Sequence, residues 1–442
     1  MKTAALSVTA RSAALAALEL VEGGQTAQTA LAHMLTGAGQ ALSPADKNLC
    51  SELVYGVLRN ELRLDHVLRC FLKRPQGLPP KLVLVMRMGA YSLLFQEKIP
   101  PHAAVHSAVA LARAVCGQNL SRVVNGVLRS VQRLGQAPLE PDFYLQGASP
   151  EAGLALFYSL PLWLMALWRQ AYGEEAALRL AGRSQARPWT GLRFNRQHDS
   201  AAGLRQALTQ VLEPGCWEAV GAHGLAVAPG HLPEAVAGQS LAGWHDQGVF
   251  SYQSAGSQLV LEALGCLGWA GPVWDACAGY GGKSVPLLEA GARVSLASDM
   301  SRERLRHVPG LCRRLGLVAP MLLLADAGRS PLRRWPGHII ADVPCSGLGV
   351  LARRPDLRKR ASPENTRRLM QTQARILAGL AERLQMGNEL AYITCTLDPA
   401  ENERAIGAFL VAHKGFELRC QWQSDHAHPW LEGMYGAVLR KR

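Results

Sequence analysis

No run in this 442-residue chain is apolar for long enough to suggest a membrane span. The longest, Leu154 to Trp168, is interrupted by Ser159 and Pro161 and falls short of the roughly 18 to 20 residues a spanning helix needs. Room for a secretory signal is lacking too: Lys2 is followed by Arg11 after eight residues, too few for an apolar signal core, so a cytoplasmic location is expected. The ten cysteines never stand as CxxC, which disfavours both a disulfide framework and a zinc site. Most should be small buried hydrophobes. Charged residues are scarce at 18%, against 48% hydrophobic ones, which excludes a disordered chain. The length suggests two to four domains.

The net charge of +13 is unevenly placed. Residues 1–139 hold 15 Lys/Arg against 7 Asp/Glu, and the other 303 hold 32 against 27. An excess of this kind draws a polyanion through phosphate neutralisation. From Leu120, apolar residues recur at Val123, Val124, Val127, Leu128, Val131 and Leu134, a helical stripe. At about 100° per residue, Arg122, Arg129 and Arg133 line up opposite it. Cys50, Leu53, Val54, Val57 and Leu58 repeat the pattern, with Arg59 and Arg63 expected on the surface.

Val54-Tyr55-Gly56-Val57-Leu58-Arg59 with Leu64-Asp65, Met88-Gly89-Ala90-Tyr91, Ile99-Pro100-Pro101-His102-Ala103-Ala104-Val105 and Val124-Asn125-Gly126-Val127-Leu128-Arg129 follow in that order. Together they resemble the NusB-like RNA-binding fold over about residues 8 to 135. The resemblance implies an RNA partner for this segment. His102 and His106 have the spacing of a metal pair, but no third ligand is evident, and no metal is expected.

Residues 135–150, with Gly135, Pro138, Pro141, Gly147 and Pro150, read as a linker. A Trp-rich helical stretch, a strand at Thr190–Asn195 and a helix near Ala201–Val211 follow. They resemble the small α/β module that precedes the catalytic domain in RNA cytosine methyltransferases.

From Pro272 strands and helices alternate. Strands are expected at 273–276, 292–298, 321–325, 338–342 and 389–394, helices at 301–315, 363–386 and 399–412, and two further strands near the end. Alternation implies a doubly wound, mainly parallel sheet, whose ligands sit at the carboxyl ends of the strands. After the first strand comes Asp275-Ala276-Cys277-Ala278-Gly279-Tyr280-Gly281-Gly282-Lys283-Ser284, where glycines let backbone approach a ligand at a helix start. Asp299 ends the second strand, placed to accept from ribose hydroxyls. Asp326 ends the third, placed for an adenine edge. Residues 277–284 also nearly match a P-loop, with Asp342 as a magnesium acid, but Cys277 stands where the first glycine is required. S-adenosylmethionine, which has no phosphates, suits an acid-lined cleft better.

After the fourth and fifth strands stand Asp342-Val343-Pro344-Cys345-Ser346-Gly347-Leu348-Gly349-Val350 and Tyr392-Ile393-Thr394-Cys395-Thr396. Neighbouring strands of such a sheet lie close, so both thiols are expected to face one pocket. DACAGYGGKS, DVPCSGLGVLARRPDLR and YITCTLDPAENE resemble the three signatures of the RNA 5-methylcytosine methyltransferases. With the NusB-like segment they resemble the bacterial Sun/RsmB type, which methylates small-subunit ribosomal RNA. The sequence departs from that pattern at Gly279-Tyr280, where alanine-proline is usual.

The resemblance implies a thiolate that adds to cytosine C6 so that C5 becomes nucleophilic. It assigns Cys395 as nucleophile, Cys345 to product release and Asp342 to the base. It assigns Cys277, Ala278, Gly279, Tyr280, Gly281, Gly282, Lys283, Asp299, Asp326 and Asp342 to S-adenosylmethionine. DNA cytosine methyltransferases use a Pro-Cys instead, so the residues themselves leave Cys345 open as the nucleophile. Asp398 as N-cap and Pro399 at the first helical position would put a helix N-terminus beside Cys395 and lower its pKa. Arg353, Arg354 and Arg358 are expected to join Arg122, Arg129 and Arg133 on RNA phosphates.

The expected architecture is an all-α NusB-like bundle (1–139), a linker with a small α/β module (140–250) and a Rossmann-like class I methyltransferase with a mainly parallel sheet (251–442), acting as a monomer. Two other readings remain open at this stage: an RNA-binding module with an inactive methyltransferase fold, and a P-loop-like nucleotide binder.

Overall fold

In the computed structural model, which describes residues 8–72 and 75–442, the helix starts of the N-terminal half follow its hydroxyl and proline residues. Thr9, Thr26 and Ser43 each accept from a first-turn backbone N–H, and Pro44, Pro80 and Pro101 occupy first helical positions, where no donor is lost. The motif glycines mark where helices press together. A Cβ on Gly56 would lie 2.0 Å from the Tyr91 ring, and one on Gly89 would lie 2.5 Å from Leu128. Helix Gln118–Arg133 buries Val124, Val127, Leu128 and Val131, while Arg122, Arg129 and Arg133 are exposed.

Two arginines expected on the surface are buried instead. Helix Pro44–Arg59 ends before Arg63, and a new helix starts at Glu61, so spacing by four no longer means a shared face. The Arg59 guanidinium donates to the Ala352 carbonyl at 3.0 Å. Arg63 donates to Pro138 O at 2.7 Å and to Tyr144 Oη at 3.2 Å, with its guanidinium 4.3 Å from the centre of the Phe157 ring. Residues 135–150 are accordingly more than a linker. They carry short helices at Asp142–Leu145 and from Pro150, and Tyr144 is fully buried.

The helical unit therefore runs on to Ala186, and it also takes in Leu351–Arg360. Inside it, Lys359 pairs with Glu22 and lies 3.6 Å from Glu61. Arg87 pairs with Asp65 at 2.8 Å and with Glu61 at 2.9 Å. Among the described residues no single helix is long and apolar enough to cross a membrane.

The second unit is Arg187–Val350 with Ala361–Arg442. An antiparallel sheet in the order Trp217–Val220, Gly224–Val227, Thr190–Phe194, Phe250–Tyr252 shares a core with helix Ser200–Val211 through Leu192, Phe194, Leu204 and Leu208. Arg193 joins this module to the helix Ser284–Glu289 by a buried pair with Glu289 at 2.8 Å. The larger sheet has β1 (Pro272–Asp275), β2 (Arg293–Asp299), β3 (Met321–Leu324), β4 (His338–Asp342), β5 (Glu389–Thr394), β6 (Phe416–Gln423) and β7 (Tyr435–Lys441). Its order is β6-β7-β5-β4-β1-β2-β3, parallel throughout except that β7 runs antiparallel to both neighbours.

This is the Rossmann-like sheet expected from the alternation. Two helices differ from expectation. The helix expected at 301–315 is broken into Arg302–Leu305 and Val308–Arg314, with Pro309 in the first turn of the second. The helix expected from Pro399 begins at Glu403.

Candidate active site

The strand order reverses between β1 and β4, so the loops leaving them part and open a crevice at the carboxyl ends. The glycine loop occupies one side. Gly279 and Gly281 have φ of +54° and +87°, a region glycine enters without strain, and the Gly279 N–H donates to Asp299 Oδ2 at 2.9 Å. Asp299 Oδ1 accepts from Ser301 N–H at 2.8 Å and from Arg304 at 3.0 Å. Asp326 accepts from Gly328 N–H at 2.9 Å and from Arg375 at 2.6 Å. Tyr280 and Met300 are exposed.

Under the loop, Asp275 is fully buried and accepts from Ser284 Oγ at 2.6 Å. Burial raises its pKa to about 6. Burial likewise pushes the Cys277 thiol far up, with the surrounding acids adding to it.

Lys283 is buried, and its ammonium is already engaged, at 2.7 Å from Asp342 Oδ2 and 2.9 Å from Ser257 Oγ. It is therefore tied across the crevice to the end of β4 and is not presented to a phosphate along the loop. A set of carboxylates and backbone groups with its one lysine neutralised fits a cationic nucleoside cofactor such as S-adenosylmethionine. It suits a nucleotide triphosphate poorly.

β4 and β5 are neighbours, with Asp342 opposite Ile393, and this register brings the two thiols to the same level. Cys345 Sγ and Cys395 Sγ are 3.2 Å apart, and the Cys395 N–H donates to Cys345 Sγ at 3.3 Å. The hydrogen bond with Cys395 holds the Cys345 thiol well above its usual pKa, and burial adds to that.

Beneath them lies a floor of buried polar side chains that motif reading missed. Glu401 accepts from Ser346 N–H at 2.9 Å, from Ser346 Oγ and from Gln373 Nε2 at 2.8 Å. Ser346 Oγ also lies 2.7 Å from Thr396 Oγ1. Thr394 Oγ1 donates to Asn402 Oδ1 at 2.6 Å. Burial raises the Glu401 pKa, and its hydrogen-bond donors offset part of the rise. The acid and amide of DPAEN were the available signal. This floor also explains the late helix start: Asp398 Oδ1 accepts from Ala400 N–H at 2.9 Å, and Glu401 and Asn402 turn inward. The helix start expected at Pro399, shortly after Cys395, is displaced to Glu403.

The expected RNA contacts divide. Arg122, Arg129, Arg133 and Arg354 are exposed, and Arg353 is half-buried. Arg358 is buried, its guanidinium donating to Ser184 O at 2.7 Å and Ser184 Oγ at 3.0 Å. Burial pulls its pKa to about 9. Arg358 is an internal strut and offers nothing to a phosphate.

Two family descriptions match the chain: NusB family over residues 8–133, and 16S rRNA methyltransferase RsmB/F over residues 270–430. The chain is 33% identical to the probable ribosomal RNA small subunit methyltransferase B of Bacillus subtilis strain 168, covering 92% of this chain and 89% of the relative. It is 33% identical to ribosomal RNA small subunit methyltransferase B of Escherichia coli O6:K15:H31, covering 92% and 91%. Among solved structures, PH0851 superposes with a TM-score of 0.77 at 19% identity over 99% of this chain and all of the other. NSun6 from Pyrococcus horikoshii, solved with SFG, gives 0.53 at 19% identity over 64% of this chain and 98% of the other. At such identities these two show a shared fold.

Proposed function

Because this chain belongs to the ribosomal RNA small subunit methyltransferase B family, we propose that it methylates carbon 5 of a cytosine in 16S ribosomal RNA, in the cytoplasm, through a covalent bond from Cys395. The observation that carries this reading is the 3.2 Å approach of Cys345 and Cys395 at the ends of adjacent strands. Cytosine C5 is a weak nucleophile. When the Cys395 thiolate adds to C6, the ring electrons shift to C5, which becomes enamine-like and reactive. S-adenosylmethionine, when bound, supplies the electrophilic methyl group. The C5 proton is then lost to a base and the C6–S bond breaks.

In this reading Cys395 is the nucleophile and Cys345, 3.2 Å away, serves in product release. Asp342, held at Oδ2 by Lys283, would meet N3 or the exocyclic amine of the base. Asp299, Asp326 and residues Cys277 to Lys283 would hold the cofactor. The test is to incubate the chain with 16S RNA and S-adenosylmethionine, digest the RNA and identify the methylated nucleoside by mass spectrometry. We expect 5-methylcytidine, and product on any other atom overturns the reading.

Arg122, Arg129, Arg133, Arg353 and Arg354 would contact RNA phosphates, whereas Arg358 is withdrawn from that set. Replacing Arg122, Arg129 and Arg133 together with alanine should lower the slope of log affinity against log salt by about 2 to 3. An unchanged slope would mark those three as solvated surface.

A further inference from the structure

Outside the crevice, the turns at the end of the small antiparallel sheet of the second unit carry a cluster of metal-ligand chemistry. A Glu213 carboxylate oxygen, Cys216 Sγ and a His231 ring nitrogen all lie within 4.8 Å of one another. We infer that Glu213, Cys216 and His231 bind one divalent cation of the zinc class, with the fourth coordination position left to water.

The backbone holds the three ligands on two short turns. The Cys216 N–H donates to Glu213 O at 3.1 Å, and the His231 N–H donates to Ala228 O at 3.2 Å. Gly215 and Gly230, with φ of +83° and +84°, turn the chain in each. The turns are pinned together by the Ala228 N–H, which donates to Cys216 O at 2.8 Å. That bond extends the ladder in which Trp217 pairs with Val227.

A tetrahedral zinc site holds its ligand atoms roughly 3.3 to 3.6 Å apart. From separations of at most 4.8 Å, the cluster reaches that scale by closing no more than about 1.5 Å. Glu213 and His231 are exposed and Cys216 is half-buried, so side-chain rotation achieves this without disturbing a core. The His231 Nδ1 lies 3.1 Å from Pro229 O. An Nδ1–H donated there orients the ring and leaves the Nε2 lone pair for a metal. Thiolate and imidazole select zinc-class ions over magnesium or calcium, which prefer all-oxygen sites. Three protein ligands leave one position for solvent.

The test uses the full chain, stripped with chelator, kept reduced with a phosphine and titrated with cobalt(II). The expected result is one equivalent bound with a thiolate-to-cobalt charge-transfer band, displaced by zinc(II). Cys216→Ser should abolish that band, and both Cys216→Ser and His231→Ala should weaken binding at least tenfold. Cys395→Ser should leave both band and affinity unchanged. Zinc should also protect Cys216 of the unaltered chain from alkylation, read by peptide mass spectrometry, which keeps the test independent of any variant's folding. Absence of stoichiometric cobalt binding, a Cys216→Ser variant that binds as well as the parent, or loss of the band with Cys395→Ser would each overturn the proposal.

Discussion

The two sides of the crevice are built differently. Around the thiols the structure is closed: Cys345 and Cys395 rest on Glu401, Gln373, Thr396 and Asn402, all fully buried and linked by hydrogen bonds. Around the glycine loop it is more open: Asp299 is itself buried, but its carboxylate and that of the half-exposed Asp326 lean on backbone N–H groups and on arginines that reach the surface, with Tyr280, Met300 and Leu324 exposed nearby in sequence. A buried polar network holds its members in one geometry and is costly to break. The exposed side chains beside the glycine loop, Tyr280 and Met300, can rearrange around a ligand at small cost. On the proposed function, the groups that would react are thus preorganised.

The contrast is tested most sharply at the thiols. Cys395→Ala should lose at least about 10³-fold in activity and give no RNA adduct. Cys345→Ala should allow addition and methylation but stall release, so a protein–RNA adduct accumulates and survives denaturing electrophoresis. An adduct with Cys395→Ala and none with Cys345→Ala would reverse the two roles.

Next comes the floor. Glu401→Ala strands the donors of Ser346 and Gln373, and a loss of about 3 kcal/mol is expected in urea unfolding. If stability is unchanged, the thiol side is no more rigid than the loop side. The smallest effect is expected at the rim. Asp299→Ala should weaken S-adenosylmethionine binding by about 1 to 3 kcal/mol, measured by calorimetry. Unchanged affinity would remove the ribose assignment.

The parallel sheet was legible because each strand is an apolar run bounded by turn residues. β4 and β5 occupy the expected 338–342 and 389–394. The thiol pairing was legible because strand ends converge on one edge of such a sheet. What escaped was non-local. Pro399 reads as a helix start, but the inward pull on Glu401 and Asn402 from Gln373, Thr394 and Thr396 delays the helix. Arg63 reads as surface charge, but the rings that enclose it come from Phe95, Tyr144 and Phe157. Tyr144, far along the chain, also turned a supposed linker into packed structure.

The ten residues Leu351–Arg360 leave the catalytic half after Val350 and return to it at Ala361. In between, the buried Arg358 guanidinium donates to Ser184 of the helical half and to Leu351 O of the excursion itself. No single cut in the chain separates the two units. A graft of a foreign N-terminal half onto this catalytic half would succeed only if a matching ten-residue insert travelled with it. A hybrid that ignores the insert should fail first at the burial of Arg358.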